Sequence, residues 1–150
     1  MGYLSTKERL LQPSRSRLIF LILAVFAFGI TEIGRFVYRP FVRQNGVNDL
    51  GLADCIGNLG GIGVQIFLGL AVLNSTRQQS YRMAVFFTLG YIVYEFAQPY
   101  LPKGVFDWLD IYATVVGFAI SAAAISIVWK AVGPEQSLKS GGETGSGTIA

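Results

Sequence analysis

Apolar residues run along this chain in four blocks separated by shorter polar stretches. Leu18 to Thr31 carries no charge and extends through Glu32 to Tyr38. Ile56 to Leu73 is interrupted only by Asn58 and Gln65, and Met83 to Tyr94 continues past Glu95 to Pro99. Leu109 to Val128 has Asp110 beside its start. A bilayer core about 30 Å thick needs roughly 20 largely apolar residues per helix. The pattern therefore predicts an all-α, polytopic membrane protein with four transmembrane helices, over about 18–38, 54–73, 83–99 and 108–130. The first and third reach full length only by holding Glu32 and Glu95. Residues 1–16 form an N-terminal segment, 17–132 the membrane domain, and 133–150 a glycine-rich tail with no packable surface.

Composition sharpens this picture. Of 150 residues, 52% are hydrophobic and 14% charged, against about 25% charged in soluble domains. So little charge excludes a disordered chain, a coiled coil and a nucleic-acid partner, and it makes the lipid bilayer the expected surroundings. There is no histidine and one cysteine, which removes the commonest general base and any disulfide framework. Lys7, Arg9, Arg15, Arg17, Arg77, Arg82, Lys130 and Lys139 fall on the side of both termini. Only Arg35, Arg39, Arg43 and Lys103 fall in the two loops opposite. The excess of positive charge puts both termini in the cytoplasm. Glu32, Asp49, Asp54, Glu95, Asp107 and Asp110 then share the outer side.

The chain also reads as one helical hairpin written twice. Gly46-Val47-Asn48-Asp49 comes after the first block, and Gly104-Val105-Phe106-Asp107 after the third. Each leads into a matching run, Asp54-x3-Asn58-x2-Gly61 and Asp110-x3-Thr114-x2-Gly117. On a helix, such positions share one face. A stripe that is polar above and small below suits close helix contact with interhelical hydrogen bonds, so Gly57, Gly60, Gly61 and Gly117 are read as packing positions. Asp107 stands where a cap for the fourth helix belongs. A repeated two-helix unit gives halves of equal orientation, a parallel repeat.

The carboxylates within the spans need partners, because charge at that depth is costly and faces the protein interior. Glu32 and Arg35, at i and i+3, can neutralise each other. Glu95 has Gln98 on its own face but no basic residue within a turn, which leaves Lys103, Arg35 and Arg39 as its candidates. Tyr91, Tyr94, Tyr100, Trp108 and Tyr112 read as an interfacial aromatic belt, and Cys55 as a packing residue.

Glu95-x2-Gln98, Pro102 with Lys103, Asp107-x2-Asp110, then Thr114 and Gly117, resembles the VanZ-like family of small multi-span membrane proteins, named after a teicoplanin-resistance protein. Lys103 stands near an arginine of that family pattern, Thr114 replaces its asparagine, and its histidine signature is missing. The resemblance implies a bacterial cytoplasmic-membrane protein linked to the cell envelope and to glycopeptide sensitivity.

Three functions fit these residues. The first is a non-enzymatic envelope protein whose outer acidic site binds a lipid or peptidoglycan-precursor headgroup. The second is an intramembrane lipid- or envelope-modifying enzyme, in which Glu95, Asp107 and Asp110 act as acid and base or hold a divalent cation through oxygen. The third is a small transporter, whose short helices enclose a path only as a homo-oligomer. No metal-ligand spacing is recognisable, and no catalytic residue is assigned.

Overall fold

Pro40 shapes the first helix. A proline inside a helix lacks an N–H, and its ring collides with the carbonyl four residues back. In the computed structural model, which describes residues 15–73, 75–102 and 104–132, the chain meets this by widening. Helix α1 (Arg15–Ile33) passes into a π-helical turn over Gly34–Tyr38, closed by the Arg39 N–H on the Gly34 carbonyl, and resumes as α2 (Arg39–Asn45). A π-turn adds one residue to the helix and rotates the residues beyond it by about 100°. The expected end near Tyr38 is thus overturned: Arg15–Asn45 is one continuous helical run of 31 residues. Arg39 and Arg43 are helical residues, with no loop between them. The run stops at Gly46, whose left-handed backbone (φ 60°) lets its N–H and that of Val47 close on the Val42 carbonyl.

Two aspartates each start a later helix. Asp49 accepts from the N–H groups of Gly51 (3.1 Å) and Ala53 (2.7 Å), at the head of α3 (Leu52–Leu73). Asp107 accepts from Leu109 N–H at 2.9 Å, at the head of α5 (Trp108–Val132). Each satisfies donors that a helix start leaves orphaned. Between them, α4 (Arg77–Ala97) opens with a reciprocal capping box of Thr76 and Gln79 and closes in a 3-10 turn over Gln98–Tyr100, at Pro99.

Among the described residues, three helical runs are long and apolar enough to cross a membrane: Arg15–Asn45, Leu52–Leu73 and Trp108–Val132. The polar first turns of α4, from Arg77 to Arg82, dilute its hydropathy. It nevertheless runs the whole length of its neighbours, antiparallel to α3: Phe87 lies against Gly69 and Glu95 against Asn58. Its other end is tied to α5 by Tyr81–Ser126 (2.7 Å) and Trp129–Ser80 (3.1 Å).

Helix α3 packs on all three of the other long helices. Between apolar helices in lipid, close fit replaces the hydrophobic drive, and small residues supply it. A Cβ on Gly60 would strike the Thr31 hydroxyl of α1, and one on Gly117 would strike the Leu59 carbonyl and Ile62. Gly34 similarly admits Ile56, and Gly61 faces the Tyr91 hydroxyl. Gly57 departs from the expectation. Its Cβ would meet nothing within 4 Å among the described residues, because it lies on the side of α3 between those that carry Ile56 to Gly34 and Asn58 to Glu95.

The interior is formed by Phe20, Ile62, Ile66, Leu70 and Ile125, with Phe20 stacked on Phe67 at 6.4 Å. Its buried hydroxyls bond back to their own helix: Thr31 to Ala27, Thr88 to Ala84, Thr114 to Asp110 and Ser121 to Gly117, each at 2.7–2.8 Å. Large apolar side chains such as Phe26, Phe36, Phe86 and Ile127 cover the outside, as suits a lipid solvent.

Candidate acidic site at one end of the bundle

The end of α1–α2, the start of α3, the end of α4 and the start of α5 meet at one end of the bundle. Chain order alone therefore brings Glu32, Asp49, Asp54, Glu95, Asp107 and Asp110 to that end. In the first half of the chain two of the three acids are paired with arginines. Arg35 pairs with Glu32 at 3.0 Å. Arg39 and Arg43, one turn apart on α2, both reach Asp54 Oδ1, at 3.1 and 2.7 Å. Asp49, besides its capping bonds, accepts from the Tyr38 hydroxyl at 3.2 Å.

The second half is built differently. Glu95 is 1% exposed, and its carboxylate is held by two amides. Asn58 Nδ2 of α3 donates to Oε1 at 2.9 Å, and Gln98 Nε2 donates to Oε2. Two of the cationic partners expected for Glu95 are overturned: Arg35 is engaged with Glu32 and Arg39 with Asp54. The physical reason is local: Glu32, one turn back, holds Arg35, and beyond the π-turn Arg39 and Arg43 face the start of α3. The third candidate, Lys103, lies outside the described residues, as do residues 1–14 of the N-terminal segment and the 133–150 tail.

Asp110 is half-buried at the head of α5, and its carboxylate accepts no hydrogen bond among the described residues. Asp107 and Asp110 are near enough to Glu95 to act on it electrostatically. Thr114 is fully buried, but its hydroxyl is spent on the Asp110 carbonyl, so it offers nothing to the acidic group. Beside these acids, Phe96, Phe106 and Trp108 form an aromatic trio with ring centres 5.1–6.3 Å apart. Tyr94, Tyr100, Trp108 and Tyr112 are exposed. Tyr91 is not part of that rim: it turns inward against Gly61 and the core.

Among the described residues, no three His, Cys, Asp or Glu side chains converge as a metal-binding group. Both carboxylate oxygens of Glu95 are held by amides, whereas Asp107 uses one oxygen in its cap and Asp110 uses neither. Cys55 is buried, with its thiol directed at the Leu52 carbonyl. Open hollows of about 380 and 270 Å³ lie toward the other end, along Tyr81–Leu89 and beside Leu73 and Ser75.

Three residues of the site are not apparent in the sequence: Arg43, Tyr38 and Phe106. Arg43 lies four positions beyond Arg39, a signal once the helix is known to continue. Comparisons with protein families, with curated proteins and with solved structures each return no match. Fold and site together define a class, a helical multi-pass membrane protein in which the six acidic side chains among the described residues are gathered at one end.

Proposed function

We propose that this is a VanZ-like protein of the bacterial cytoplasmic membrane, with four spans arranged as two like-oriented hairpins and the acidic end outward. In this reading α4 crosses the bilayer with the other three helices, and both termini are cytoplasmic. The acidic end binds a cationic headgroup, carried by a lipid or a peptidoglycan precursor, without catalysing a reaction. Through that binding the protein alters glycopeptide sensitivity.

The carrying observation is the contrast between the two halves. Glu32 and Asp54 are ion-paired with three arginines, whereas Glu95, Asp107 and Asp110 make no ion pair among the described residues, Arg39 acting on Asp110 only at longer range. A cluster of one charge sign beside low-dielectric walls attracts the opposite charge. The aromatic trio next to it gives an ammonium group a face to rest on. The Glu95–Gln98 and Asp107–Asp110 motifs that carry the family resemblance are the same residues that form this half.

The test is a series of Glu95→Gln, Asp107→Asn and Asp110→Asn in bacterial cells, read as protein level in the membrane and as teicoplanin sensitivity. The reading expects Asp107→Asn and Asp110→Asn to accumulate normally and lose the sensitivity phenotype. Normal accumulation with full phenotype in all three overturns it.

A further inference from the structure

Gln65 lies on α3, thirteen residues after Leu52 and eight before Leu73. At 1.5 Å per residue it sits about 12 Å or more from either end of the helix. With α3 across a hydrocarbon core about 30 Å thick, that depth holds no water. Polar side chains at comparable depth in this chain are buried or bonded. Thr88 and Ser121 are buried and bond to their own helices, and Ser126 meets Tyr81. Gln65 differs on both counts. It is exposed, and its amide makes no hydrogen bond among the described residues. A primary amide carries two donors and an acceptor, and leaving them unpaired in an apolar medium costs several kcal/mol.

We infer that Gln65 is satisfied by Gln65 of a second copy of this chain, in a parallel dimer formed along the exposed strip of α3. Copies inserted in one membrane with one topology present each residue at the same depth. The group that meets an amide at this level across a two-fold axis along the membrane normal is therefore its own equivalent. An amide is self-complementary: each donates an N–H to the carbonyl of the other. A headgroup cannot reach this depth, and acyl chains offer no partner. The surrounding surface fits a helix. Leu68 and Val72 lie exposed on the same strip, and Gly57, with open space at its Cβ position, leaves the backbone open to approach.

The test uses single cysteines in a Cys55→Ala background, oxidised in native membranes. Leu68→Cys and Val72→Cys, which keep Gln65 in place, are expected to give a covalent dimer at least about tenfold faster than Phe26→Cys and Ile127→Cys, which are exposed on other helices. Equal rates at all four positions, or no dimer from Leu68→Cys and Val72→Cys, overturn the inference. Independently, energy transfer between labelled copies diluted in lipid vesicles gives the dissociation constant. Gln65→Leu is expected to raise it roughly threefold to tenfold, the range for interhelical hydrogen bonds in membranes, while Gln65→Asn raises it less. An unchanged constant for Gln65→Leu, with helix content intact, overturns the inference as well.

Discussion

Asn58 of α3 donates its side-chain amide to Glu95 of α4 at 2.9 Å, across 37 positions of sequence, and so fastens the two helices at the acidic end. Gln98 closes the other side of the same carboxylate. Removing Asn58 leaves a buried acceptor with one donor instead of two. Asn58→Leu is expected to cost about 1–3 kcal/mol, seen as a lower thermal midpoint in detergent. Glu95→Gln keeps an acceptor for Asn58 and should cost less than Glu95→Ala. Equal midpoints for Asn58→Leu and the wild type would show that the contact carries no stability.

The ion pairs of Asp54 should behave in the opposite way. Both arginines and the carboxylate are at least one-third exposed, and exposed pairs contribute about 0–1 kcal/mol and weaken with salt. Asp54→Asn is expected to move the thermal midpoint by no more than a degree or two at low salt, and by nothing measurable in 1 M salt.

The glycines of α3 and α5 offer a graded comparison. A side chain at Gly117 drives into the Leu59 backbone carbonyl, which cannot move without shifting the helix, and one at Gly60 meets Thr31. Gly117→Val and Gly60→Val should each cost about 1–3 kcal/mol or more through overpacking, read as loss of folded protein from the membrane. Gly57→Ala meets open space and should leave the folded level unchanged.

Pro40 gives a prediction about helix phase. If the π-turn exists to seat this proline, Pro40→Ala removes the need for the extra residue and lets Arg39–Asn45 rotate back. The pairs with Asp54 would then break. Arg43→Cys and Asp54→Cys in a Cys55→Ala background should cross-link readily with Pro40 present and several-fold more slowly in the Pro40→Ala chain.

Much of this arrangement can be read from the residues alone. The apolar blocks mark the three runs able to cross a membrane, the i, i+3 spacing of Glu32 and Arg35 is their ion pair, and Asp107 caps α5. Chain order also suffices to gather six acids at one end. What sequence spacing conceals is rotation. Which of Gly57, Gly60 and Gly61 meets a neighbour depends on how α3 is turned, and periodicity does not say which neighbour stands on which side. A buried carboxylate such as Glu95 suggests a cation as its partner. Asn58, by its spacing, belongs to a stripe of its own, and only the placement of α3 against α4 brings the two together. The arginines of α2 look like loop residues because the apolar block ends before them. A π-turn ahead of a proline has no signature in hydropathy.

The long first helix sets the protein a problem of fit. Its 31 residues measure about 46 Å at 1.5 Å per residue, whereas the 22 of α3 measure about 33 Å. Two rods of such unequal length, packed side by side, cannot both match one hydrocarbon slab by tilting together. Arg17 reaches the Ala71 carbonyl and Arg43 reaches Asp54, so the first run is tied to α3 near both ends of the shorter helix. With both helices across one bilayer, a thicker membrane would draw the charges of Arg39, Arg43 and Asp54 toward the acyl chains, and a thinner one would leave them among the headgroups.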